Sequence, residues 1–375
     1  MRALHLAASL SLLGSAGFIA WILPAAGPPP DALRRRLTRV LWISGLIAVV
    51  AGAAWFVLQA AAISGAEDLP DLEDALPVVA MQTRYGNVLL VRLGLLLVAT
   101  VLAWWGRGPV TVTVRPDAGR HKDVDAGPPP AMTGGRTRLY LIVLLTAAAL
   151  GLQGLIGHAG ATEGATGDGL VASEALHLIA AGIWLGALLP LVLSLLALPP
   201  PLAALVCERF TPVGLACVLV LAGTGLAQGL ELIGSVPALL GTRYGHFALL
   251  KIVLFLVALV LAALNRLRLA DRLAAGVASA RRHLLVSVGF ETLVGLGIVN
   301  AAVFMASSPP AAHTTPVWPF SWQFSPGTAI DAADVRHAAI ASLPPGARDE
   351  PIAAIRSSRA NPIKSRSEGG HEHHQ

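Results

Sequence analysis

Runs of about 20 apolar residues, enough for a helix to cross roughly 30 Å of hydrocarbon, recur along almost the whole chain and predict eight membrane spans. They run approximately Leu4 to Leu23, Val40 to Ile63, Tyr85 to Trp105, Leu139 to Ile156, Leu170 to Leu195, Phe210 to Ile233, Phe247 to Leu264 and Leu284 to Met305. The polar positions gather between these runs. The fold class expected is an all-α polytopic membrane protein with a mostly irregular C-terminal tail.

Composition supports this reading, because 55% of the 375 residues are hydrophobic and only 13% are charged, which no soluble domain matches. The net charge of +5 sits mostly in short loops, where it sets orientation rather than marking a nucleic-acid partner. Arg34, Arg35, Arg36 and Arg39 fill the first loop. Arg107, Arg115, Arg120, Lys122, Arg136 and Arg138 dominate the third, and Arg266, Arg268, Arg272, Arg281 and Arg282 the seventh. The second loop is acidic, through Glu67, Asp68, Asp71, Glu73 and Asp74, while the fifth, around Glu208 and Arg209, is nearly neutral. Cytoplasmic odd loops put both termini on the periplasmic side of a bacterial inner membrane. The first span, though Arg2 precedes it as in a signal peptide, is expected to be retained, since cleavage would strand the triple arginine outside.

The halves of the chain resemble each other. TRYG occurs at Thr83 to Gly86 and at Thr242 to Gly245, each copy opening a span and each followed six residues after its glycine by a cation, Arg92 or Lys251. HLAASLSLLG, from His5 to Gly14, pairs with HLIAAGIWLG, from His177 to Gly186. Spans one to four then correspond to five to eight, two parallel four-helix repeats of the kind seen in transporters. The expected organisation is helices one to three in residues 1–106, a cytoplasmic connector at 107–137 and helix four at 138–157. Helices five to eight with their outer loops follow at 158–306, then a periplasmic Pro-rich tail at 307–375. Within the tail, a short helix near Ala332 to Ala341, interfacial Trp318, Phe320 and Trp322, and a terminal HEHHQ are expected.

In this topology His5, His158 and His246 lie at the outer ends of three spans, His177 lies about two turns inside a fourth, and Met305 closes the last. Glu174, three residues before His177, shares its helical face. Imidazole suits copper and zinc, and a thioether adds preference for Cu(I), so these six side chains form a candidate copper site. Arg92, Glu231, Lys251 and Glu291 are ionisable groups inside spans, expected to face the bundle interior. Cys207 and Cys217 fall on one predicted helix and form neither a disulfide framework nor a CxxC site. No Walker A sequence, kinase set or GxSxG elbow occurs, so the chain is not expected to be an enzyme of those classes.

Several segments carry a family resemblance. GHAGAT at Gly157 to Thr162, HLIAAGIWLGALLPL from His177, RFTPVGL from Arg209, TGLAQG from Thr224, TRYGHFALLK from Thr242, LNR from Leu264, FETLVGLGIVNAAV from Phe290 and the closing SSPP at Ser307 resemble, in this order, the CopD copper-resistance family. The resemblance implies copper handling at the inner membrane, with a periplasmic copper-binding protein of the CopC type as partner. Met81 and Met305 are the periplasmic methionines apart from the initiator, so a Met-rich Cu(I) ladder is absent and histidine would carry most of the coordination. The preferred expectation is a copper transporter or membrane copper relay, with membrane lipid around it. Two rivals stand beside it: a haem-binding electron-transfer protein of the four-helix cytochrome b type, and an assembly factor that delivers copper.

Overall fold

In hydrocarbon each backbone amide must find its partner within its own segment or a closed barrel. The computed structural model describes residues 1–26, 29–105, 133–157, 160, 164–277 and 279–317, and no strand occurs among them. His158, nearly all of the 107–137 connector, the Ala332 to Ala341 segment, the tail aromatics and HEHHQ lie outside the described residues.

The chain opens with α1 (Arg2–Gly17), which runs on through a π-helical turn (Phe18–Ile22), and continues with α2 (Asp31–Ser64), the short α3 (Leu69–Gln82) and α4 (Arg84–Trp105). Then come α5 (Thr133–Gly151), extended by a 3-10 turn (Leu152–Ile156), α6 (Gly164–Leu185), α7 (Leu188–Ala197) and α8 (Pro200–Leu232). The short α9 (Val236–Gly241) leads into α10 (Arg243–Leu264), a π-helical turn (Asn265–Ala270), α11 (Asp271–Ala274) and α12 (Ala280–Met305). Among the described residues, eight stretches are long and apolar enough to cross a membrane, α6 with α7 making one of them. This is an all-α polytopic membrane protein.

Each span is present, but several helices outrun their apolar core. Glu208 and Arg209, expected in a loop, are helical within α8, and α5 begins inside the expected connector. Hydropathy marks only the lipid-facing stretch, whereas the backbone hydrogen-bond ladder continues into polar flanks at no cost.

Two spans form the centre. Of their apolar windows, 67% is buried for both Arg2–Ile22 and Gly164–Ala197, against 11% for Arg243–Ala274. Lipid tails are as apolar as leucine, so close backbone approach, not hydrophobic exclusion, draws such helices together. Glycine makes that approach here: a Cβ on Gly14 would stand 2.3 Å from the Gly186 carbonyl carbon, and one on Gly186 would stand 2.0 Å from the Leu10 oxygen. These two glycines close the paired HLAASLSLLG and HLIAAGIWLG segments. On one flank of α1, Leu10 and Leu13 pack with Trp184 and Leu188; on the other, Ala8, Leu12 and Ala16 pack with Leu41, Leu96 and Ile142. Leu46, Val91 and Leu256 point outward, as lipid-facing residues do.

The two TRYG copies build the same joint. Thr83 donates its hydroxyl to the Val79 carbonyl (2.6 Å) and accepts from the Gly86 amide (2.9 Å), while Thr242 donates to Ala238 (2.7 Å) and accepts from Gly245 (3.0 Å). Each threonine thus ends a short helix and caps the next span. A Cβ would meet a carbonyl at 2.0 Å on Gly86 and at 2.2 Å on Gly245, which is why the fourth letter is glycine. The short helices are capped alike, by Asp68 and Ser235, each with a proline in its first turn.

Candidate functional site

At the end of the bundle that carries α3 and α9, a cavity of about 120 Å³ has His5, Glu174, His177 and Met305 on its wall, with Lys251 and Tyr244. Four of the six ligand candidates therefore share one space. They do not form a preassembled metal centre, since among the described residues no three His, Cys, Asp or Glu side chains stand close enough to hold an ion. His246 is elsewhere: it is exposed, and its Nε2 bonds the Leu240 carbonyl at 2.7 Å. Asn87, which follows the first TRYG as His246 follows the second, likewise donates to the Met81 carbonyl at 3.1 Å.

The two central histidines differ in what their nitrogens do. His5 is 1% exposed. Its Nδ1 lies 2.7 Å from the Ala48 carbonyl, which can only accept, so Nδ1 carries the proton. Its Nε2 lone pair then receives Arg92 Nη2 at 3.3 Å. Arg92 is itself fully buried and fixed by Nε donating to the Ala149 carbonyl at 2.7 Å. Trp55 lies against the His5 ring at 5.8 Å and takes the Arg2 guanidinium over its own face at 5.3 Å. Both nitrogens of His5 are engaged.

His177 sits about three and a half turns into α6, deeper than expected because the helix starts at Gly164. Its Nδ1 is 2.8 Å from Thr224 Oγ1, and that hydroxyl donates to the Val220 carbonyl at 2.6 Å. With its proton committed, the hydroxyl oxygen accepts from Nδ1–H, and among the described residues no hydrogen bond engages the Nε2 lone pair of His177, which walls the cavity. Sequence reasoning passed over Thr224. Its signal was a hydroxyl inside an apolar span, in the TGLAQG segment. Ser173 and Gln228 extend the same α6–α8 seam, Gln228 donating to Ser173 at 3.3 Å.

Of the intramembrane charges, Lys251 acts electrostatically on Glu174, as does Arg2, and among the described residues neither closes to an ion pair with it. Glu291 is 3% exposed and accepts from Asn265 Nδ2 at 3.0 Å, beside a separate cavity of about 300 Å³. Glu231 departs from expectation. It is exposed on the last turn of α8 rather than facing the bundle, because the rotation of the helix turns that position away from its neighbours. Both cysteines are free.

The chain matches two family models, copper resistance protein D over residues 204–305 and the copper resistance protein D-like N-terminal domain over residues 1–115. Inner membrane protein YebZ of Escherichia coli (strain K12) is 25% identical over 281 residues, covering 73% of this chain and 84% of YebZ. Copper transport protein CutJ of Bacillus subtilis (strain 168) is 32% identical over 168 residues, 43% of this chain but only 29% of CutJ. No solved structure matches the chain. With a copper resistance protein D model matched on each half of the chain, over residues 1–115 and 204–305, the chain belongs to the copper resistance protein D family.

Proposed function

We propose that the protein handles copper at the bacterial inner membrane, as a transporter or relay without ATP, admitting the ion at the α3/α9 end. That end is periplasmic in this reading, with both termini outside. The observation that carries the reading is the His177–Thr224 pair, which engages Nδ1 and leaves Nε2 free on a residue that walls a cavity shared with Glu174 and Met305. Nitrogen, oxygen and sulfur donors together suit copper. His177 is the principal ligand, Met305 and Glu174 join it, and His158, in the GHAGAT segment of the sequence, is a further candidate ligand. His5 acts as a structural pin, because Arg92 occupies its second nitrogen. A small periplasmic copper protein of the CopC type is the donor or acceptor on that side. The haem reading is less favoured by a cavity of about 120 Å³ and by the engagement of His5.

Copper bound per chain, measured on purified protein with a competing chelator, tests this. His177→Ala should lose at least about tenfold in affinity while remaining inserted, and truncation after Gly369 should leave affinity unchanged. Wild-type affinity in His177→Ala, with the loss confined to the tail truncation, overturns the proposal.

A further inference from the structure

The corresponding helix pairs of the two halves differ in one respect. In the first half α2 packs along α4 so closely that a Cβ on Gly45 would stand 2.2 Å from Thr100 Oγ1, and one on Gly52 2.5 Å from Leu93 Cδ2. Their counterparts in the second half, α8 and α10, are splayed, with at most passing contact. The gap is a cleft of about 560 Å³, within the range of small-molecule sites. Leu226 and Leu230 form one wall and Ile252 and Phe255 the other, with Trp184 packed edge-on against Phe255 at 6.0 Å. Gly225 and Gly229 keep the α8 wall low. Exposed apolar residues line the mouth, so the cleft opens sideways, toward lipid.

One end of the cleft is polar. His177, Gln228 and Lys251 converge there. Lys251 brings three donors and, although Glu174 acts on it electrostatically, it makes no hydrogen bond among the described residues, which leaves its donors open to an acceptor from outside the chain. That acceptor must reach an ammonium about 12 Å along α10 from its start. A phosphodiester would carry its charge below the headgroup layer to get there, at high desolvation cost, whereas a neutral carbonyl pays far less.

We propose that the cleft between α8 and α10 binds a lipophilic carbonyl compound of the isoprenoid-quinone class, with its ring carbonyl on Lys251, its ring beside Trp184 and Phe255, and its chain along the groove. Because His177, Lys251 and Met305 border both this cleft and the smaller cavity, occupancy of one alters the other. The binding itself is independent of the copper reading and is measured on metal-free protein.

The full-length protein, purified in detergent, is incubated with decylubiquinone and passed through gel filtration, and the quinone co-eluting per chain is determined after extraction. Wild type and the lipid-facing control Leu90→Trp should each hold about one quinone. Lys251→Met should bind about tenfold or more weakly, the loss expected for one hydrogen bond to a charged donor. Leu226→Trp, whose ring fills the cleft, should fall to the level of empty micelles. Ile252→Trp serves from the opposite wall if Leu226→Trp is not monodisperse. Equal retention by wild type and the cleft variants would mean partition into the micelle, and a tightly held phospholipid that decylubiquinone does not displace would mean a lipid site; either overturns the proposal.

Discussion

Thr224 offers the most pointed perturbation, because its hydroxyl touches no cavity-borne ion and acts only through His177. Thr224→Val keeps the side-chain shape and removes the oxygen that holds Nδ1–H at 2.8 Å. The direct loss is one neutral hydrogen bond, about 0.5–1.5 kcal/mol, and the Nδ1–H left behind adds to it. The larger consequence is orientational. With Nδ1 released, the ring can rotate or exchange its proton to Nε2, and an imidazole protonated on Nε2 no longer offers a lone pair to the cavity. Loss of the group that orients a metal-binding histidine commonly weakens affinity about 10- to 100-fold. Thr224→Ser, which retains the oxygen and its bond to the Val220 carbonyl, should recover most of the affinity. The assay is chelator competition for copper on the three purified proteins, with thermal unfolding in parallel. Affinity should fall far more than stability in the valine variant. If Thr224→Val binds copper as wild type does, or if serine fails to rescue it, the oriented-histidine account is wrong.

Three further outcomes follow from the same geometry. Arg92→Leu should lower stability by about 1–3 kcal/mol, since it strands the Ala149 carbonyl and the His5 nitrogen, whereas Lys251→Leu, at the corresponding position, should hardly move the melting temperature; equal effects would mean that the two cations play one structural role. Gly186→Val places carbon where even a Cβ would stand 2.0 Å from the Leu10 oxygen, so folded yield should drop and melting should come earlier, by the 1–3 kcal/mol of an overpacked contact or more; unchanged melting would refute the close crossing of α1 and the α6 span. Alkaline phosphatase fused at Arg120 should be inactive and fused after Ser308 active, and the reverse result would turn the cavity to the cytoplasmic side.

The sequence by itself determined the eight spans, because the burial of backbone polar groups in lipid admits only helices with long apolar stretches, and that demand is local. It also determined the joints before α4 and α10, since a threonine cap and a glycine without Cβ are properties of adjacent residues. Family membership was legible for a related reason, in short segments read in order. What each polar residue does was decided only by tertiary structure. His5 and His177 open the same kind of segment, yet one meets Arg92 from α4 and the other Thr224 from α8. Arg92 and Lys251 follow TRYG at the same distance, but α2 closes over the one while α8 stands away from the other. His246 and Glu231, both plausible interior groups by position, face outward because helix ends and the rotation of a helix about its axis are set by its neighbours. Whether a nitrogen has a lone pair to offer depends on partners dozens of residues away in sequence, and packing alone brings them within hydrogen-bonding distance.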